Sequence, residues 1–119
     1  MVKVFRVQDS EGRGPFRPGL SKHWVIDRDD HENLKPWPKE FGDILPRGEW
    51  PFGKHYGCAC RTLDQLRRWF NENEYSTLQQ LGFKAVQMDV QRVLAEGDTQ
   101  LVFLRNRPLR TDVDAVELY

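Results

Sequence analysis

The stretch that decides the fold is HYGCACRTLDQLRRWF, residues 55–70. Its first six residues have the composition of a short strand. Thr62, followed three residues later by Gln65, forms the capping-box pattern that starts a helix. Four apolar side chains then share one helical face, which leaves the arginines toward solvent or a ligand. The apolar set is Leu63, Leu66, Trp69 and Phe70. The stretch therefore predicts a strand that leads directly into an amphipathic helix.

Strand patterns lie on both sides of this helix. VKVFRVQ, residues 2–8, is apolar on both faces, which is typical of a buried strand. After the first helix, residues 76–79 form a second capping pattern, and we expect a shorter helix that Gly82 ends. Three strand-like runs follow: FKAVQMDV, QLVFLRN and DAVELY. This order of elements predicts an α+β domain.

Between the first two strands, residues 9–54 show little periodicity. They hold six of the seven prolines, six of the nine glycines and three of the four tryptophans. Because aromatic residues argue against simple disorder, we expect an ordered excursion over the core. Trp24, Trp37 and Trp50 suit the core or an interface with a protein partner.

Length and charge limit the class of protein. The chain has 119 residues, which predicts a single domain over residues 1–119. Lysine plus arginine equals aspartate plus glutamate at 18 each, so no net charge attracts nucleic acid or an anionic membrane. The start, MVKVFRVQD, lacks a signal-peptide pattern, and no apolar run reaches the roughly 20 residues of a membrane span. We expect a soluble cytoplasmic protein.

Two cysteines near a histidine raise three interpretations. Cys58, Cys60 and His55 could ligate zinc with His23 or His31, but no second ligand pair has zinc-site spacing. A nucleophilic cysteine assisted by His55 is a second interpretation. Small buried cysteines in a strand are the third, and the burial statistics of cysteine favour it. We therefore predict no metal site.

Arg6 is the most informative single residue. An arginine within a buried strand pairs with a carboxylate, lies at a strand edge, or faces a cleft that holds an anion. The segment GRGPFRPGLS, residues 12–21, adds Arg13, Arg17, Ser21 and three glycines. Guanidinium groups and free backbone amides of this kind can hold a phosphate or a pyrophosphate.

Three separated motifs together resemble a known family. VFRV places Arg6 on the opening strand, HYGCACRTLDQLRRWF runs from a short strand into a helix, and TQLVFLRNRPL places Gln100 at the head of a late strand. In this order the chain resembles a compact member of the ADP-ribosyltransferase superfamily. The resemblance implies two small, mostly antiparallel sheets around a cleft that binds NAD, with one main helix and one short helix.

The resemblance also implies roles for individual residues. Arg6 and residues 12–21 would hold the pyrophosphate of NAD. Tyr56 would stack on nicotinamide, and Thr62 would contact the cofactor. Gln100 would hold the ribose 2′-hydroxyl, with Arg6, Tyr56 and Gln100 forming the catalytic set.

Two departures from the family pattern bear on catalysis. A cysteine or Thr62 stands where the branch of the family with an arginine on the first strand usually has serine. Gln100 stands where most active members have glutamate. A glutamine accepts a hydrogen bond but carries no charge to stabilise the transition state of nicotinamide departure. In a different register, Glu96 or Asp98 would supply the carboxylate.

Two functions and a structural alternative follow from these observations. The first is an enzyme that transfers ADP-ribose to a target or hydrolyses NAD weakly. The second is an inactive binding module of the same fold. It would bind an ADP-ribose-like ligand without chemistry, or recognise a protein partner through its tryptophan-rich excursion, residues 9–54. The third is a structural α+β domain without a site. A small neutral protein of this kind is also what a phage or a mobile element can encode against a host factor.

Overall fold

The computed structural model describes residues 1–16 and 54–119. These residues form six strands and two helices, which confirms the predicted α+β class. In chain order they are β1 (Val2–Gln8), β2 (His55–Ala59), α1 (Leu63–Trp69), α2 (Glu72–Gln80), β3 (Lys84–Val90), β4 (Arg92–Glu96), β5 (Leu101–Arg105) and β6 (Asp114–Ala115).

The strands form two antiparallel sheets of three strands each, as predicted. The first sheet has the order β1-β3-β6 and the second has the order β2-β5-β4. One residue pair joins them: Phe5 N donates to Cys60 O at 2.8 Å, and Cys60 N donates to Phe5 O at 2.7 Å. The six strands therefore follow the spatial order β6-β3-β1-β2-β5-β4, with this single bridge at the centre.

Apolar side chains form two clusters on opposite faces of the first sheet. The helix cluster lies between this sheet and the two helices. Its buried members are Val7, Cys60, Leu66, Trp69, Phe70, Tyr75, Leu78, Phe83, Ala85 and Leu118. The intersheet cluster contains Val4, Ala59, Val86, Met88, Val90, Leu101 and Phe103. Because side chains alternate along a strand, β1 supplies Val7 to one cluster and Val4 to the other, which confirms that it is apolar on both faces.

Helix α1 begins at the predicted capping box. Thr62 Oγ1 accepts a hydrogen bond from Gln65 N at 3.1 Å, and Gln65 Oε1 accepts one from Thr62 N at 3.3 Å. Leu66 and Trp69 are buried on the predicted apolar face. The local sequence therefore fixes both the start of this helix and its orientation against the sheet.

The N-cap of helix α2 lies five residues before the start of the predicted pattern at residues 76–79. Asn71 is its N-cap and accepts a hydrogen bond from Glu74 N at 2.8 Å, so Asn71 and Glu74 form the capping box that operates. The helix has nine residues against seven in α1, so the prediction that it is the shorter one is wrong. Its end was predicted correctly, because Gly82 follows the C-cap with a φ of +94°.

Two strand predictions also differ from the structure. Strand β4 was not predicted, because a bulge between Val93 and Ala95 interrupts the alternation on which a strand is recognised. In the run DAVELY only Asp114 and Ala115 form a strand. The next residue, Val116, still donates its N–H to Ala85 O at 3.0 Å before the chain passes under the helices.

Candidate functional site

Arg6 lies on the face of β1 that points into the intersheet cluster. Its side chain is buried, with 6% of the residue exposed. Nη1 donates to Cys58 O at 3.4 Å and Nη2 donates to Gly12 O at 3.3 Å, so both bonds are long. The guanidinium carbon also lies 5.8 Å from the centre of the Phe103 ring. Within residues 1–16 and 54–119, Nε has no hydrogen-bond partner.

Glycines let the backbone approach this guanidinium. A Cβ on Gly57 would overlap Nη1 of Arg6 and lie 3.0 Å from Cζ of Phe103. A Cβ on Gly14 would lie 3.4 Å from Nη2 of Arg6, which is close to ordinary contact. Position 57 therefore requires glycine while the guanidinium occupies its present place.

No carboxylate in the described parts of the chain forms an ion pair with Arg6. Burial lowers the pKa of its guanidinium, and the nearby Cys58 and Asp9 oppose that shift. Asp9 is engaged elsewhere: its Oδ1 accepts from Glu11 N and Arg13 N, and its Oδ2 accepts from Arg13 Nε at 2.9 Å. Among residues 1–16 and 54–119, Arg6 is thus a buried cation without a matched anion.

The tight turn at residues 9–13 explains why Arg13 does not lie beside Arg6. Asp9 N donates to Arg13 O at 2.9 Å, and Gly12 N donates to Asp9 O at 3.0 Å. Burial acts to raise the pKa of Asp9, but the hydrogen bonds from Arg13 and Glu11 outweigh it and hold this pKa below its usual range. Arg13 forms an exposed ion pair at the surface, and its predicted contact with a cofactor stays a prediction.

Sequence reasoning missed Gln8, which lies two residues from Arg6 on the same face of β1. It is 2% exposed, and its Nε2 donates to Leu109 O at 2.8 Å. Its Oε1 has no partner among the described residues. The signal in the sequence was its alternation with Arg6 along the strand, which places both side chains on the intersheet face.

The other two predicted catalytic residues, Tyr56 and Gln100, lie on β2 and directly before β5. Gly57 faces Arg6, so by alternation Tyr56 points to the opposite side of the second sheet. Gln100 directly precedes β5 and is buried, with 4% of the residue exposed. Arg6 contacts the backbone of Gly57 and Cys58, directly after Tyr56, and the catalytic set of Arg6, Tyr56 and Gln100 stays a prediction.

Thr62 and the acids near Gln100 hold together the start of α1. Thr62 uses its hydroxyl as the helix cap, so a contact with a cofactor stays a prediction. Glu96 accepts two hydrogen bonds from Arg61, at 2.8 and 2.9 Å, and these hold the pKa of Glu96 below its usual range. The carbonyl of Asp98 accepts from Gln65 Nε2 at 3.0 Å.

Several predicted positions lie outside the described residues. They are Arg17, Ser21, His23, His31, Trp24, Trp37 and Trp50. Of the cysteines, Cys60 is buried and Cys58 is partly buried, and both are free thiols. Burial, with a contribution from Cys58, raises the pKa of Cys60 to about 12, which disfavours a nucleophilic thiolate. Within residues 1–16 and 54–119, no three histidine, cysteine or acidic side chains group closely enough to hold a metal ion.

Arg105 is a second buried arginine and differs from Arg6 in its bonding. Its guanidinium donates to four backbone carbonyls at 2.7 to 3.1 Å: those of Asp89, Pro108, Thr111 and Asp112. These bonds close the loop after β5 around the side chain. Arg105 therefore has a structural role that its own hydrogen bonds account for.

A family model described as Bacteriophage T4 Y00F protein matches residues 1–115. The chain belongs to this family. The match runs from β1 to β6, so Arg6, Gln8 and Arg105 all lie within the matched residues. Membership confirms the prediction of a phage protein, while the resemblance to ADP-ribosyltransferases stays a prediction.

Further comparisons add no relative of known function. No curated protein and no solved structure matches the chain. Neither helix in the described ranges of this Y00F-family protein has the length and apolar character to cross a membrane.

Proposed function

We propose that this Y00F-family protein binds an NAD- or ADP-ribose-like ligand, with Arg6 as the anchor for the ligand's phosphate groups. The observation that carries the proposal is the bonding of Arg6. A buried donor without an acceptor is costly, and charge-assisted bonds to a phosphate would relieve that cost. Arg105 shows that the same fold fully satisfies a guanidinium whose role is structural.

The surroundings of Arg6 suit a phosphate or pyrophosphate better than a carboxylate of the protein. Gly57 and Gly14 remove side-chain bulk around the guanidinium, and no acid of the described residues competes for it. In the described residues, Phe5–Cys60 is the one backbone pair that bridges the two sheets, which suits a ligand held between them. The resemblance to ADP-ribosyltransferases selects NAD or ADP-ribose among phosphate-bearing ligands.

Binding is better supported than transfer. Gln100 carries no charge, and the nearby Glu96 carboxylate is engaged by Arg61. Tyr56 alternates with Gly57 along β2 and so points away from the face that holds Arg6. The protein is therefore proposed to bind the ligand while releasing nicotinamide from NAD slowly or not at all.

Titration calorimetry with ADP-ribose tests this proposal. Arg6→Gln removes the charge, and the loss of charge-assisted hydrogen bonds should weaken ADP-ribose binding by roughly tenfold to a hundredfold. Arg6→Lys should fall in between, because lysine keeps the charge but loses the planar fork. Arg68→Gln is the matched control, since Arg68 is exposed on α1 and should leave affinity unchanged.

Thermal melting of the same proteins separates binding from structure. A large loss of stability in Arg6→Gln, with no ADP-ribose binding by the natural protein, would make Arg6 a structural residue and defeat the proposal. Nicotinamide release from NAD, measured in parallel, should be close to the rate without protein.

A further inference from the structure

Two buried polar atoms on the same face of β1 have complementary hydrogen-bonding roles, one as a donor and the other as an acceptor. Arg6 Nε is a donor without an acceptor, and Gln8 Oε1 is an acceptor without a donor, within residues 1–16 and 54–119. The direction of the Gln8 amide is fixed, because its Nε2 donates to Leu109 O at 2.8 Å. Rotating the amide would bring two oxygens together, so exchange of the amide atoms does not remove the mismatch.

Contacts around Gly12 show that both side chains reach the same part of the interior. Gly12 O accepts from Arg6 Nη2 at 3.3 Å. A Cβ on Gly12 would lie 2.9 Å from Cβ of Leu109, the residue whose carbonyl receives the Gln8 amide. Gly12 has a φ of +82°, which favours glycine at this contact. Arg6 and Gln8 therefore approach the Gly12–Leu109 contact from neighbouring positions on one strand.

A ligand that pairs with both atoms must offer an acceptor to Arg6 Nε and a donor to Gln8 Oε1. We propose that Arg6 and Gln8 together recognise the ribose-phosphate unit of the ligand, which rests on the proposed function. A phosphate oxygen accepts from Arg6 Nε, and a ribose hydroxyl donates to Gln8 Oε1. Residues two apart on a strand are separated by roughly 7 Å along the chain, which is compatible with a phosphate and a hydroxyl of the same sugar phosphate.

Other ligand classes satisfy only one of the two atoms. A fully ionised phosphate accepts from Arg6 but has no hydrogen to donate to Gln8. An ammonium group donates to Gln8 but is repelled by the guanidinium. Entry of a sugar phosphate requires residues 9–16 to move, because Gly12 and Gly14 lie against the guanidinium.

The test compares two phosphate monoesters of similar size in titration calorimetry. Ribose 5-phosphate has hydroxyls, and pentyl phosphate has none. The natural protein should prefer ribose 5-phosphate by roughly tenfold, the effect of one hydrogen bond to a buried acceptor. Gln8→Met keeps the approximate volume but removes the acceptor, so it should bind both compounds equally while retaining affinity for pentyl phosphate.

Gln87→Met is the matched control, because Gln87 lies on β3 opposite Phe5 and so on the other face of the same sheet. It should keep the preference for ribose 5-phosphate. If Gln8→Met does not fold, the proposal is tested by the relative affinity of the natural protein for ribose 5-phosphate and pentyl phosphate.

The two failures are distinguishable. Equal affinity of the natural protein for the two compounds, or an unchanged preference in Gln8→Met, would overturn the role of Gln8 while leaving ADP-ribose binding through Arg6 in place. No binding of ADP-ribose or of either monoester would overturn both the ribose-phosphate site and the proposed function.

Discussion

A single missing atom, the Cβ of Gly57, determines where the guanidinium of Arg6 lies. We expect Gly57→Ala to displace this guanidinium, because the added Cβ would overlap Nη1 and press on the Phe103 ring. Overpacking should cost about 1–3 kcal/mol in the free energy of unfolding. Affinity for ADP-ribose should fall by roughly tenfold or more, since charge-assisted bonds depend on geometry. Urea unfolding and calorimetry measure the two effects.

Gly14→Ala is the control for this substitution. Its Cβ would lie 3.4 Å from Nη2 of Arg6, so it should be tolerated with little change in affinity. Equal ADP-ribose affinity in the two alanine variants would show that the ligand does not depend on the position of the guanidinium.

At the residue scale, the sequence identified Arg6 but not its bonding. A charged residue between valines on a strand is visible without a structure, because its burial requires a partner or a ligand. Whether carbonyls surround an arginine depends on distant segments, so the difference between Arg6 and Arg105 was not predictable. Gln8 was overlooked because a glutamine at a strand end usually meets solvent.

At the element scale, Leu66 packs α1 into the helix cluster. Leu66→Ala should lower the free energy of unfolding by about 2–5 kcal/mol, because Leu66 is 3% exposed and a cavity would remain. Leu63→Ala should cost less, since Leu63 is only partly buried against the same cluster. Urea denaturation compares the two variants, and equal losses would mean that Leu66 does not anchor the helix.

Local chemistry explains which elements the sequence predicts. The α1 capping box involves residues three apart, so it was found. Two such patterns compete before α2, and the earlier one, from Asn71 to Glu74, operates because it extends the helix by a full turn. Strand β4 was missed since its bulge removes the alternation, and only pairing with β5 reveals it.

At the scale of the whole molecule, carboxylates with lowered pKa values should make the free energy of unfolding depend on pH. The pKa values of Asp9 and Glu96 are below their usual ranges in the folded protein. Their contribution is therefore complete above the unfolded pKa values of about 4, and it is lost as pH falls through the lower folded values. Arg61–Glu96 is solvent-exposed, so Asp9 should account for more of the effect.

Asp9→Asn tests this assignment by urea unfolding at pH 7 and pH 3. The variant should be less stable than the natural protein at pH 7, and the difference should shrink at pH 3. Asp98→Asn is the control, because the Asp98 side chain is exposed and the bond to Gln65 Nε2 is accepted by the backbone carbonyl of Asp98. A constant difference at both pH values would show that the charge of Asp9 is not responsible.

The two-sheet arrangement was predicted, but the pairing within it was not. Alternation identifies strands and their faces, whereas partner choice depends on contacts between distant segments. The candidate site was predicted through Arg6 alone, since its other components, Gln8, Gly57 and the Leu109 carbonyl, come together only through those pairings.

The Phe5–Cys60 bridge also has a mechanical consequence. In the described residues this backbone pair joins the sheets together with the one-residue connection from β3 to β4 and a side-chain bond from Arg105 Nε to Asp89 O at 3.1 Å. Rotation about the bridge changes neither of its two hydrogen-bond lengths much, whereas sliding one sheet past the other would break both. Among the described residues, a rotation about Phe5 and Cys60 therefore disturbs this backbone pair less than sliding does. Arg6 is the neighbour of Phe5, so such a rotation would displace its backbone less than that of residues farther along β1.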